Sequence, residues 1–260
     1  MILASFRSEW RKLRRPTLFW STIGGLGVAA SIFVVLLFTQ SQEHGGGGVP
    51  SLAALAEPNG LMVGVGRASI LLGIVAFGIA AAQVAQEYSL GTLRQLLVRQ
   101  PRRGTLLVGK LLGVISFLLV ALVGASAVAF AVAVVAAHAR HLSVHAWFSG
   151  TGIADLLRGL GNLALGVIGF STLGFAIGQF VRSAVFAVII GFAWLLPIEG
   201  VITRIVPSAA RVLPGSSLGG LAEGGNTDVG YRLALVVGLI YFVAAAIAAL
   251  VDFARRDVTA

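Results

Sequence analysis

The chain has no cysteine among its 260 residues, which excludes disulfides, thiolate metal sites and a cysteine nucleophile. Charge is scarce as well. Asp, Glu, Lys and Arg make up only 11% of the sequence, with 10 acidic residues and 4 histidines. Serines near the apolar runs have no His/Asp set on the same side, so the pattern of a hydrolase is missing. What is abundant is grease: 57% of side chains are apolar and the mean hydropathy is +0.95. That is too apolar for a water-soluble domain.

Six apolar runs are long enough to cross a hydrocarbon core of about 30 Å. They cover 17–38, 61–85, 105–137, 153–180, 184–205 and 231–251. A bilayer core has no water to satisfy backbone groups, so the spans are expected to be helices. The 34 glycines suit close helix packing in lipid. Gly109/Gly113 and Gly174/Gly178 are candidate contact pairs. The expected fold is therefore an all-α integral membrane domain covering 1–260. Only Val181, Arg182 and Ser183 separate the fourth and fifth spans, which forces a tight hairpin. A Gly/Ser/Pro-rich loop at 206–230 precedes the sixth, and a polar loop at 39–59 follows the first.

Residues 1–15 read as an amphipathic interfacial helix. Leu3, Phe6, Trp10 and Leu13 recur at helical spacing, while Arg7, Arg11, Lys12, Arg14 and Arg15 lie mostly elsewhere on the wheel. Thirteen basic residues fall on the side of the termini, in the terminal segments, the 87–110 island and the 181–183 hairpin. Four acidic residues face them, an excess of nine, whereas the opposite side balances six against six. The positive-inside rule therefore places both termini in the cytoplasm. The basic residues gather at span ends rather than on one face, so nucleic acid is not the expected partner.

Two short motifs invite chemistry that their surroundings deny. Gly104 to Lys110 fits G-x-x-x-x-G-K, but Leu111 stands where a phosphate-binding loop needs Ser or Thr, and the context is an apolar helix. Lys110 is expected instead to snorkel to the headgroups. His138, His141 and His145 have metal-like spacing, yet Arg140 lies among them and no carboxylate is near, so no metal site is assigned. Three charges fall inside spans, where they are costly: Arg67, Arg158 and Glu199. Their depths match, so Glu199 is expected to pair with one of the arginines, as an outer gate or a static ion pair. Pro197 is expected to kink the fifth span just before it.

The island 87–103 interrupts the grease. Leu93, Leu96 and Leu97 form one apolar ridge at helical spacing, between Gly91-Thr92 and Pro101. With the basic helix FRSEWRKLRR, the segment QEYSLGTLRQLLVRQPRR after the second span, the near-absent loop at Arg182-Ser183 and the closing FARRDV, the chain resembles the ABC-2-type permeases. These are the transmembrane subunits of ABC exporters, and the similarity spans nearly the whole length. The resemblance implies that Leu90 to Arg99 is a coupling helix seated in a cytoplasmic ATPase. Leu90, Thr92, Leu93, Arg94, Leu96, Leu97 and Arg99 would form it, with Glu87 organising polar contacts beside it through Arg94, Arg99 or the N-terminal helix.

The resemblance also implies two ATPase subunits carrying ATP and Mg, with no cofactor on this chain. A second permease, identical or homologous, would complete the unit in a bacterial plasma membrane. Cargo would be amphipathic or hydrophobic, meeting Phe77, Phe186, Phe192 and Trp194 at a seam of the second and fifth spans. The 206–230 loop would be external and partly re-entrant. Competing readings are a non-transporting anchor or sensor of an ATPase complex, and an ATP-independent secondary transporter.

Overall fold

The computed structural model describes residues 2–42, 49–90 and 103–255. Apart from the basic first helix, every helix in it follows from an apolar run or from the turn residues between runs. Helix α1 (Ile2–Leu13) is followed by α2 (Pro16–Gln40), which opens with a proline at its first position, where no N–H is needed. The short α3 (Leu52–Leu55) is capped by the Ser51 hydroxyl, which accepts from Ala54 N. The expected second span is divided. Its first turns form α4 (Gly60–Arg67), the chain steps at Ala68, and α5 (Ser69–Ser89) does the crossing. Helix α6 (Arg103–Ala139) is the longest, at 37 residues.

A 3₁₀ turn at His145–Phe148 leads into α7 (Gly150–Val181). The fifth span is α8 (Ala184–Ala193), a π-helical turn at Trp194–Ile198 that contains Pro197, and α9 (Glu199–Ile205). A proline removes one backbone donor, and the widened turn is how this helix absorbs that loss. After a 3₁₀ turn at Pro207–Arg211 come α10 (Pro214–Glu223) and α11 (Tyr231–Arg255). Among the described residues six helices are long and apolar enough to span a membrane: α2, α5, α6, α7, the α8–α9 pair and α11.

The core is a close sandwich of α5 on α7, with α2 and α1 on α6 and with α10 and α11 on α7. Gly174 and Gly178 make the first contact possible. A Cβ at either would lie 2.1 Å from the Phe77 carbonyl oxygen or 2.4 Å from that of Ala81. Small residues let two backbones meet where lipid offers no competing hydrophobic force. Gly109 and Gly113 do the same for α1, because a Cβ there would come within 2.5 Å of Ser5 Cβ and 2.7 Å of Glu9 Cβ. Both glycine pairs singled out in the sequence are contact faces.

The spans differ in how much they hide. In α5, 61% of the apolar window is buried, against 17% in α8–α9 and 22% in α11. The central helices are enclosed by protein, and the fifth and sixth turn most of their surface outward.

The loop after α6 is less solvated than its composition implies. Trp147 is buried, donates its indole N–H to Leu55 O at 2.9 Å and packs edge-on against Phe38. His138, Leu142, Ser143, Val144, His145 and Phe148 line a shallow cavity beside it. Among the described residues no three His, Asp or Glu side chains gather into a group that could hold a metal ion.

Candidate coupling site and the intramembrane charges

The ends of α5 and α6 that flank segment 91–102 are joined to each other and to α1 by four charged side chains. Glu9 and Lys12 come from α1, Glu87 from the last turn of α5, and Lys110 from the second turn of α6. The helical stripe Ser5, Glu9, Leu13 is what α1 buries, and Ser5 Oγ donates to Leu106 O at 3.0 Å to set its register on α6. That docking delivers Glu9 Oε1 to Lys110 Nζ at 2.6 Å. Lys110 also donates to Glu87 Oε2, and Lys12 Nζ reaches Glu87 Oε1 at 2.9 Å and Glu9 Oε2 at 3.8 Å.

Two ammonium groups and two carboxylates make a neutral ring, which is how buried charges are made tolerable. Lys110 is 4% exposed, so it does not snorkel to headgroups. Both carboxylates claim its ammonium, the more buried of the two cations in the ring. Of the partners expected for Glu87, the N-terminal helix is seen, through Lys12. Gly104 to Lys110, the stretch that mimics a phosphate-binding motif, is continuous helix.

A second contact sits nearby. Arg182, in the two-residue turn between α7 and α8, adopts a left-handed backbone (φ 58°) and places its guanidinium 5.0 Å from the centre of the Tyr88 ring. A non-glycine residue pays strain there, offset by the cation–π contact. The Arg182-Ser183 hairpin and the end of α5 are thereby tied on the same face.

Of the expected coupling residues, Leu90 is exposed at the end of α5. Thr92, Leu93, Arg94, Leu96, Leu97 and Arg99 lie outside the described residues. Among the expected interfacial residues, Arg7, Arg11, Arg14 and Arg15 are exposed, Trp10 is half-buried, and Lys12 is drawn into the ring.

On the opposite face, the expected pairing of Glu199 with an arginine is replaced. Its carboxylate accepts from the backbone N–H of Gly215 at 2.9 Å and of Ser216 at 3.0 Å. These are orphan donors in the first turn of α10, and Pro214 just before them has none to offer. A helix N-terminus favours a negative charge, so Glu199 caps α10 from 16 residues away in sequence. Gly215 is required for this approach, since a Cβ there would lie 2.7 Å from Glu199 Oε2. Tyr241 of α11 donates to Val212 O at 2.7 Å and steadies the chain entering α10.

Arg67 and Arg158 do converge, but on another feature. With Asp155, Glu223, Asn162 and Asn226 they line a polar cavity of about 820 Å³. Arg158 meets Asp155 at 3.2 Å, and Glu223 accepts from Ser69 Oγ at 3.3 Å and from Asn226 Nδ2 at 3.1 Å.

The four aromatic candidates separate. Phe77 is 3% exposed, clasped where Gly191 lets α8 approach its ring, so it lies off every surface of this chain. Phe192 is half-buried against Gly78, while Phe186 and Trp194 are exposed on the fifth span.

Sequence reasoning missed Glu9 as a partner altogether. The available signal was its spacing from Ser5 on α1 set beside the Gly109/Gly113 spacing on α6. No curated protein matches the chain at a significant level. A family profile described as "Protein of unknown function (DUF2705)" matches residues 28–259, and by that match the chain belongs to the DUF2705 family.

Proposed function

We propose that this chain is the permease subunit of an ATP-driven exporter of the ABC-2 type. It moves an amphipathic or hydrophobic substrate, such as a drug, an antibiotic peptide or a lipid-like molecule, out of the cell. In this reading the termini and segment 87–103 face the cytoplasm of a bacterial inner membrane. The chain itself is not an enzyme, and ATP and Mg are bound by a separate ATPase that docks on residues 90–99. Two permeases and two ATPases make the working unit.

One observation carries the reading. Both ends of segment 91–102 leave from a single buried charge ring that also grips α1. A surface loop has no use for such an anchor. A segment that receives a push does, because the push then moves α1, α5 and α6 together. The exposed fifth span, with Phe186 and Trp194, supplies the surface for a second permease and its cargo. Phe77 drops out of that path.

The test is affinity purification in mild detergent with a crosslinker on Leu96→Cys. A Walker-motif ATPase is expected to crosslink at that position, and substrate should stimulate its hydrolysis. If no ATPase is captured, the proposal is wrong. If one is captured but no substrate stimulates it, the chain is an anchor or sensor of an ATPase complex.

A further inference from the structure

The junction of α1 and α2 holds a feature that the coupling reading does not use. Trp10, Arg14, Pro16, Phe19, Trp20 and Val120 line an open cleft of about 470 Å³. Its walls are mostly apolar. Phe6 stacks on Trp10 behind one wall, and Phe19 packs edge-on between Trp20 and Phe117. Trp20 is 67% exposed in the first turns of the α2 span, the level at which an indole meets lipid headgroups. Arg14 is the one charged residue on the lining of the cleft.

Charge decides what covers the cleft. Arg7, Arg11, Arg14 and Arg15 are exposed, and among the described residues none has a carboxylate within ion-pair distance. Of the acids on this side, Glu9 and Glu87 are already engaged by Lys12 and Lys110, and Asp252 is buried. The surface therefore carries uncompensated positive charge beside an apolar, indole-walled recess. A soluble phosphate would use the arginine and leave the rings bare. An acyl chain alone would cover the rings and leave the arginine unpaired. An anionic phospholipid satisfies both at once, since Trp favours the headgroup level and basic residues draw anionic lipid there.

We infer that this cleft is a binding site for one anionic phospholipid of the leaflet on the terminal side. The phosphate sits against Arg14 and the upper acyl chain lies along Trp10, Phe19 and Trp20. The lipid fills the corner between α1 and α2 and so holds α1 down on α6. The inference needs no ATPase partner and stands or falls separately from the export reading.

The test uses the purified full chain in phosphatidylcholine nanodiscs doped with a brominated lipid, reading tryptophan quenching. Brominated phosphatidylglycerol is expected to quench at several-fold lower mole fraction than brominated phosphatidylcholine. The combined Trp10→Phe and Trp20→Phe variant should lose that difference, leaving Trp147 and Trp194 as reporters. Arg14→Gln should weaken the preference about fivefold, while Arg7→Gln, which removes the same charge outside the cleft, should change it much less. All these arginines are exposed, so folding is not at stake. Equal quenching by both lipids in the unaltered chain overturns the inference. So does an equal effect of Arg14→Gln and Arg7→Gln, which would mean diffuse attraction rather than a site.

Discussion

The two faces of this bundle solve the same problem differently. Glu87 and Glu199 are both buried carboxylates near the end of a span. Glu87 is held by ammonium groups from two other helices, Glu199 by the backbone N–H groups of one short helix. The first arrangement locks three helices into one body. The second attaches one small piece, α10, to one turn of the fifth span. A charge ring fails badly when a member is lost, because an uncompensated charge stays behind. A backbone cap fails mildly, because its donors remain and its acceptor is easily imitated.

That contrast can be tested by substitution. Lys110→Met should have the largest effect, since it leaves Glu9 and Glu87 facing each other with only the partly exposed Lys12 to share. A loss of about 3–5 kcal/mol is expected, read as thermal unfolding in detergent. Adding Glu9→Gln to it should recover part of that loss, and no recovery would show that the ring is not a coupled unit. Next comes Gly174→Val, which forces a side chain into the Phe77 carbonyl. It should cost about 1–3 kcal/mol, whereas Gly200→Ala, with open space around it, should cost well under 1 kcal/mol.

Glu199→Gln keeps one acceptor for the α10 amides and should cost about 1 kcal/mol. Glu199→Ala should cost about twice that, near the upper range for a lost cap. If Glu199→Gln matched Lys110→Met, the claimed difference between the faces would collapse. The smallest change is expected for Arg182→Gly. Relief of backbone strain offsets the lost cation–π contact, leaving stability within about 1 kcal/mol of the original.

The spans and the Arg182-Ser183 hairpin were legible because twenty apolar residues in a row have few alternatives. The glycine pairs were legible as spacings. Other parts were hidden for physical reasons. Helix α10 looks like a loop by composition, since Gly215, Ser216, Ser217, Gly219 and Gly220 are poor helix formers. Those small residues are what let it sink between α5, α7 and α11. Its brackets, Pro214 at the first position and left-handed Gly224 after the end, were in the sequence as a boundary signal. Lys110 and Glu9 each look like ordinary interface charges, and only tertiary packing shows them meeting. Glu199 attracted a search for cations because charge is visible in a sequence, whereas backbone N–H groups are not.

The 37 residues of α6 extend about 55 Å at 1.5 Å per residue, well beyond a hydrocarbon core of about 30 Å. The surplus is long enough to stand clear of the lipid, and α1 clasps its first turns through Gly109 and Gly113. Were those first turns the part outside the lipid, the helix would act as a mast with its heel outside the deck. A sideways load at that heel would then tilt the whole length and move the far end, near Trp147 and the α4–α5 step, with it.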